Sequence, residues 1–277
     1  MKIRNTIVAL LLIAISALSC EKHEILYYID YETTDDVAMF QVIYIPPIAS
    51  NAANGIDSIY VNQKLVSNLV RGLLQPKGIA PYGNTYYTAP PGNVRIQFMK
   101  GEKMVYDQTV SLSAGEIKEL YVYSLDKAPI IQDHDYANIT THSPKGSPST
   151  FQMDSVASYR FINFLFQSDG ETPYGKVQYQ YSNNTTNYTS GDWHDLGEPV
   201  GFGEITSRNL AIIHKTVNNS SGYQTLRFRC VDPTTKEFIS GTGDYWTSYI
   251  GRAYTHVLNG RMGGSPSPNY MQIGNSI

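Results

Sequence analysis

The chain has 277 residues, a formal net charge of −3 and 16% charged residues, and 22 of its residues are tyrosine. A mildly acidic chain offers no clustered basic face, so we expect no nucleic-acid partner. Aromatic residues suit strands, and with so few charged residues they indicate a β-rich extracellular protein. The length is sufficient for one large domain or two modest ones.

Residues 1–19 have the order of a secretory signal peptide. Lys2 and Arg4 precede an apolar run at 7–18. The run is too short for a membrane span, which needs about 20 apolar residues, but it fits the apolar core of a signal peptide. The alternative, a buried core helix, does not account for a basic flank, an apolar run and a small residue in this order.

The run ends in Ala17-Leu18-Ser19-Cys20, which resembles the lipobox of bacterial lipoproteins. Ala17 stands where leucine is favoured, as in relaxed versions from Bacteroidetes-type lipoproteins. The charged residues within 21–24 resemble the tract that directs such lipoproteins to the cell surface. The resemblance implies a lipid on Cys20, a tether at 20–36, and an outer-membrane protein exposed at the cell surface, with the membrane as partner through that lipid.

The first half of the mature chain, residues 37–132, is predicted to consist of strands separated by turns. In 93–99, apolar and polar residues alternate as in a half-buried strand. Asn62-Gln63 and Lys100-Gly101-Glu102 are predicted turns, while 66–74 fits either a short helix or a strand. The predicted strands are 40–45, 57–61, 93–99, 104–112 and 119–124.

Residues 133–155 are rich in Ser, Thr, Pro and Asp and have no periodic pattern, which predicts a linker. Beyond it, in a predicted second domain at 156–277, the strand pattern is repeated. We therefore predict an all-β chain with two tandem antiparallel β-sandwiches. The alternative, that any two β domains would show such a match, remains open. The corresponding strands are 40–45 and 159–164, 57–61 and 176–181, 92–98 and 222–228, and 120–124 and 254–258.

Three segments carry a family resemblance: GIDSIYVNQKLVSN, APPGNVRIQFM and LSAGEIKELYVYSLDKAP. In this order they resemble an immunoglobulin-like domain of unknown function found in Bacteroidetes-type envelope lipoproteins. Pro91-Gly92 and Ala114-Gly115 match the turns of that family. The resemblance covers residues 37–131, and 156–264 match more weakly. It implies immunoglobulin-like sandwiches in the cell envelope and no transferable catalytic residue.

Residue types that carry chemistry are scattered. With Cys20 lipidated, Cys230 has no partner, and the alternation at 226–230 predicts that its thiol faces the core. Asp133-His134-Asp135 does not have the convergent spacing of a zinc site. No G-x-S-x-G motif is present. We expect no enzyme, no metal and no cofactor.

Aromatic residues beside Gly, Asp and Asn are the better functional signal. An exposed aromatic ring offers an apolar face with a polar edge, which suits a sugar or a protein partner. The alternative is ordinary packing in the sandwich core. The candidate ligand-binding residues are Trp193, Tyr245, Trp246 and Tyr249 in the second half and Tyr86 and Tyr87 in the first.

These observations favour a non-catalytic, surface-anchored lipoprotein that serves adhesion or ligand binding through the loops of its sandwiches. One alternative is an accessory glycan-binding lipoprotein of a polysaccharide-uptake system. The other is a structural subunit of a fimbria-like assembly joined by strand addition. The tail at 261–277 is rich in Gly, Pro and Ser, which disfavours a donor strand and therefore the fimbria-like alternative.

Overall fold

The computed structural model describes residues 35–68, 74–82, 85–134, 156–183, 187–212, 223–249 and 252–275. Within these ranges the chain forms strands and no α-helix, which confirms the all-β prediction. No helix in this part of the chain is long and apolar enough to cross a membrane. Cys20 and most of the predicted linker lie outside the described residues.

The described residues form four sheets, two from each half of the chain. In sheet 1 the strand order is β4 (Gly78–Ala80), β1 (Ala38–Tyr44), β8 (Ile117–Val122), β9 (Ile130–Asp133), and β5 (Tyr87–Ala89) also pairs with β1. In sheet 2 the order is β3 (Lys64–Asn68), β2 (Ser58–Val61), β6 (Gly92–Lys100), β7 (Lys103–Leu112). In sheet 3 the order is β13 (Asn209–Ile212), β10 (Val156–Phe166), β16 (Ala253–Arg261), β17 (Asn269–Asn275). In sheet 4 the order is β12 (His194–Asp195), β11 (Gln178–Ser182), β14 (Tyr223–Val231), β15 (Asp244–Tyr249).

The two halves have the same strand order. Strands β1 and β10 occupy equivalent places, and each pairs in parallel with a later strand, β8 or β16. The other pairings are antiparallel, and β2, β6 and β7 of the first half correspond to β11, β14 and β15 of the second. The strands matched between the two halves thus hold the same places in the strand orders of their sheets.

Each half has its own apolar core. Sheets 1 and 2 enclose Phe40, Tyr44, Phe98 and other buried residues. Sheets 3 and 4 enclose a second core, which includes Tyr179 and Cys230. The prediction that Cys230 faces the core is confirmed, because alternate residues of β14 point inward.

Sheets 1 and 3 also pack against each other through their outer faces. Ile43, Tyr121, Ile162 and Phe164 belong to one buried cluster between the two halves. The rings of Tyr121 and Phe164 stack with their centroids 5.3 Å apart. Strands β1 and β10 are therefore buried on both faces, which explains why their sequences are nearly continuous apolar runs rather than alternating ones.

A buried ion pair crosses this interface. Both Glu119 oxygens accept from Nη2 of Arg160 at 2.7 Å, so the pair joins β8 of the first half to β10 of the second. Tyr121 and His134 also donate to Glu119, at 2.7 and 2.8 Å. Arg160 further donates to the hydroxyl of Thr255 at 3.0 Å. Almost every polar atom of this cluster is thereby satisfied, which a buried charge requires.

Several local predictions have clear outcomes. Asn62-Gln63 forms the predicted turn, with φ of 50° and 67° at its two residues. Part of the ambiguous segment 66–74 is strand, in β3, and 69–73 lie outside the described residues.

The tail contains a strand, β17, despite its Gly, Pro and Ser content. This strand pairs antiparallel with β16 of its own sheet.

Candidate functional site

The candidate aromatic residues of the second half lie on sheet 4. The expectation that Tyr245 and Trp246 belong to a loop is wrong, because both lie, together with Tyr249, in strand β15. This strand is at the edge of its sheet, where it pairs with β14 only. Aromatic residues favour strands when one face of the sheet is solvated, and this preference outweighs the turn tendency of the glycines that precede β15.

Residues of β15 point alternately to the solvent and to the core. Tyr245 is 60% exposed and Tyr249 is 37% exposed, whereas Trp246 between them packs against the core. Ser248 is buried like Trp246. Trp246 is thus a core residue, as the alternative interpretation held, and does not share the outer face with the two tyrosines.

The outer face of β15 continues onto β14. Cross-strand pairs on this face are Tyr223 with Tyr249, Thr225 with Thr247, and Arg227 with Tyr245. The rings of Tyr223 and Tyr249 lie 5.4 Å apart, and Tyr223 is 40% exposed. We call this surface the aromatic–arginine face, and it consists of Tyr223, Thr225, Arg227, Tyr245, Thr247 and Tyr249 with the adjoining Arg252.

Two arginines of this face are stacked on tyrosines. The guanidinium of Arg227 lies 5.5 Å from the ring centre of Tyr245 and 5.6 Å from that of Tyr188. The guanidinium of Arg252 lies 4.3 Å from the ring centre of Tyr249. Each contact is a cation–π interaction, which orients the guanidinium. Nη1 of Arg227 also donates to the hydroxyl of Tyr188 at 3.1 Å.

Trp193 is held at one border of this face by the loop between β11 and β12. Its indole N–H donates to Ser190 O at 3.1 Å. One side of its ring covers Arg229, whose guanidinium lies 4.3 Å from the ring centre. The neighbouring Tyr188 ring lies against Gly243, where a Cβ atom would come within 2.7 Å of it. Trp193 is therefore half-buried and ordered rather than freely exposed.

Arg229 is buried beneath Trp193 and is part of the scaffold of the site. Its Nε donates to Gln180 Oε1 at 2.8 Å, and Gln180 Nε2 donates to Asp195 at 2.7 Å. Burial lowers the pKa of Arg229, and the charge of Asp195 acts in the opposite direction. This chain of contacts ties the loop that carries Trp193 to the centre of sheet 4.

The candidates in the first half do not offer a free ring. Tyr86 and Tyr87 are both buried, so the expectation of an exposed aromatic pair is wrong at this place. The Tyr87 ring packs 5.8 Å from that of Phe40 in the core. The hydroxyl of Tyr86 lies 3.3 Å from Nε2 of His134, beside the buried ion pair.

Two reactive residue types lie deep in the second core. Burial raises the pKa of the Cys230 thiol to about 12. Burial also lowers the pKa of His256 to about 3. At neutral pH the thiol is protonated and the imidazole is uncharged, so both side chains serve packing in the folded state. Within the described residues, no group of three or more His, Cys, Asp or Glu side chains is placed to hold a metal ion.

Tyr223, Arg227 and Arg252 are members of the site that were not predicted from the sequence. Tyr223 and Arg227 lie on the outward side of a strand whose alternation was used only to predict the core-facing residues. The signal that could have found them is the outward half of the alternation Y-Q-T-L-R-F-R, which contains a tyrosine, a threonine and two arginines. Cross-strand pairing with β15 then adds two further tyrosines to the same surface.

No family model matches the chain, and no curated protein matches it. One similar solved structure is a "putative cell adhesion protein" from Bacteroides uniformis ATCC 8492. It is 7% identical, with a TM-score of 0.25, and the alignment covers 87% of this chain and 99% of that chain. A TM-score this low carries no argument about shared fold or function.

Proposed function

We propose that this chain is a non-catalytic, lipid-anchored surface protein that binds carbohydrate through the aromatic–arginine face of its second sandwich. The observation that carries the proposal is a set of three exposed tyrosines on one continuous sheet surface, interleaved with threonine hydroxyls and arginine N–H donors. Sugars present apolar C–H faces and many hydroxyls, and aromatic rings with polar edges complement both.

The proposed immunoglobulin-like character of the two halves is supported by their sequence resemblance and their common strand order. A rigid sandwich can present such a face without rearrangement, since its residues are fixed by strand pairing. The fimbria-like alternative is less favoured, because the C-terminal strand β17 is already paired within its own sheet and is not a free donor.

Binding should depend on the exposed tyrosines of β15. We expect Tyr245→Ala and Tyr249→Ala each to weaken binding of a glycan about fivefold to tenfold, since one aromatic contact contributes about 1 kcal/mol. The measurement is a glycan-array screen of the purified full-length protein, followed by calorimetric titration with the best ligand. The matched control is Tyr82→Ala, because Tyr82 is 89% exposed but lies in the first half.

Melting temperatures should stay within the range of ordinary surface substitutions for all three variants. If no glycan binds to the wild type, or if Tyr82→Ala weakens binding as much as Tyr245→Ala, the proposal is wrong. A loss of binding that follows a loss of folding would also count against it, and the melting curves detect that case.

The lipid anchor is tested separately through Cys20. We expect Cys20→Ala to remove the protein from the outer-membrane fraction or to leave it with residues 1–19 uncleaved, because the acyl chains on this cysteine supply the anchoring energy. Labelling with a radioactive fatty acid and N-terminal sequencing measure the outcome. Cys230→Ala is the matched control, since it removes the other cysteine of the chain. An unchanged N-terminus and unchanged fractionation of Cys20→Ala would refute the lipoprotein assignment.

A further inference from the structure

The aromatic–arginine face has an unbalanced positive charge. Arg227 is half-buried and Arg252 is exposed, and neither forms a salt bridge within the described residues. By contrast, Arg95 and Arg160 elsewhere in the protein are paired with carboxylates. The whole chain is acidic, with a formal charge of −3, so this surface differs in sign from the protein average.

No acidic side chain belongs to this face. Its outward residues on β14 and β15 are tyrosine, threonine and arginine. Asp244, at the start of β15, is half-buried; burial raises the pKa of its carboxyl, and the charge of Lys77 in the first half acts in the opposite direction. The sequences 213–222 and 250–251, which adjoin these strands, contain no Asp or Glu. An anionic ligand on these residues would therefore meet two arginines without a salt-bridge partner, while the exposed Asp192 and Asp195 lie beyond them, beside Trp193.

The arginines are also held in place. Arg227 lies between the rings of Tyr245 and Tyr188, and Arg252 lies over the ring of Tyr249. Nη1 of Arg227 donates to the Tyr188 hydroxyl at 3.1 Å, and the other N–H groups of a guanidinium held on a ring stay available for an acceptor such as a carboxylate. Fixing the side chain before binding reduces the entropy that is lost when a ligand is bound.

From these observations, and resting on the proposed carbohydrate-binding function, we propose that the ligand is an acidic glycan. Its carboxylate groups accept hydrogen bonds from Arg227 and Arg252, while the tyrosines pack against the sugar rings. Residues 245 and 249 are four positions apart on a strand, or about 14 Å. The face therefore has the length of a short oligosaccharide, with a cationic group near each end.

The test compares an oligomer of uronic acid with the same oligomer after chemical reduction of its carboxylates to hydroxymethyl groups. The two ligands have the same ring and linkage, so only the charge differs. We expect the full-length wild-type protein to bind the acidic oligomer about tenfold or more tightly, as charge-assisted hydrogen bonds would give. Added salt should reduce this preference, since the pairs are near the surface.

Arg252→Gln should reduce affinity for the acidic oligomer severalfold and leave affinity for the reduced one unchanged. Arg227→Gln should have the same effect, but this arginine also supports Tyr188, so the exposed Arg252 is the safer variant if Arg227→Gln does not fold. Arg95→Gln in the first half is the matched control and should change neither affinity. Equal affinity of the wild type for the two oligomers would overturn the proposal, and so would an effect of Arg252→Gln on both.

The proposed carbohydrate-binding function and the proposed acidic ligand can be refuted separately. Binding of neutral glycans that depends on Tyr245, without an acidic preference, would leave the proposed function intact and refute the acidic ligand. The absence of binding to any glycan would refute both.

Discussion

Replacing Glu119 with leucine should lower the free energy of unfolding by about 3–5 kcal/mol, because Arg160 would remain buried without a counter-charge. In the native protein the two side chains are almost fully buried and are joined by two hydrogen bonds of 2.7 Å. The measurement is urea unfolding at neutral pH, monitored by tyrosine and tryptophan fluorescence. Arg160→Met should also destabilise the protein, since the buried Glu119 would then lose its permanently charged donor.

The double variant Glu119→Leu/Arg160→Met separates the cost of an unpaired charge from the value of the pair. It should recover a large part of the stability lost in Glu119→Leu, since neither buried charge remains. The matched control is Asp107→Ala, which breaks the partly exposed pair of Asp107 with Arg95. That variant should cost less than about 1 kcal/mol. If Glu119→Leu costs no more than Asp107→Ala, the buried pair is not what the structure indicates.

The pH dependence of the same variants gives a second measurement. Burial opposes the ionisation of Glu119, but the hydrogen bond from His134 and the charge of Arg160 hold its pKa below the usual 4.5. An unfolded chain therefore takes up a proton near pH 4.5 that the folded chain does not, and this stabilisation is lost as the pH falls further. The stability difference between the wild type and Glu119→Gln should shrink in that range.

His256 does not disturb this comparison. Its pKa in the folded protein is about 3, below the usual 6.5, so its contribution is lost as the pH falls from about 6.5 towards 3. The loss occurs equally in the wild type and in Glu119→Gln, and it cancels in the difference. An unchanged difference between the two proteins down to pH 3 would contradict the lowered pKa of Glu119.

Trp246→Ala should lower the free energy of unfolding by about 3 kcal/mol, because its ring packs on the core of the second sandwich. Trp193→Ala should cost only about 1 kcal/mol, since Trp193 makes a surface contact with Arg229 and one hydrogen bond. Urea unfolding of both variants measures the difference. Trp246→Phe should cost less than Trp246→Ala, because the buried indole N–H has no hydrogen-bond partner among the described residues.

Fluorescence provides an independent control, since the chain has only two tryptophans. Trp193→Phe leaves Trp246 as the only indole, and its emission should be less accessible to acrylamide than that of Trp193 in the Trp246→Phe variant. Equal stability losses and equal quenching for the two positions would show that the assignment of Trp246 to the core and Trp193 to the surface is incorrect.

The outward faces of the two halves differ in composition. Sheets 1 and 3 are covered by each other, so sheets 2 and 4 carry the outward faces of the two halves. The outward face of sheet 4 contains the exposed tyrosines, whereas the largest exposed apolar side chain on sheet 2 is Met104. Under the carbohydrate-binding proposal the two halves differ in function at the same structural position.

The strand content and the repeated pattern could be inferred from the sequence by itself. Alternation in 93–99 and 226–230, and the turn residues between strands, depend only on local periodicity and backbone preference, which short segments express without tertiary context. Strands were likewise predicted at 40–45 and 159–164. Local composition also predicted the signal peptide, and the resemblance of residues 17–20 to a lipobox implied the lipidation of Cys20. Both stay predictions because these residues lie outside the described ranges.

Only the tertiary structure decided which residues form the site and how the halves meet. Tyr245 and Trp246 are neighbours in a sequence of similar character, yet pairing with β14 turns one outward and the other into the core. Tyr86 and Tyr87 are buried by strands distant in sequence. The contact of Glu119 with Arg160 joins residues 41 positions apart. Such contacts depend on strand order and sheet packing, which are long-range properties, and no local pattern in a single sequence records them.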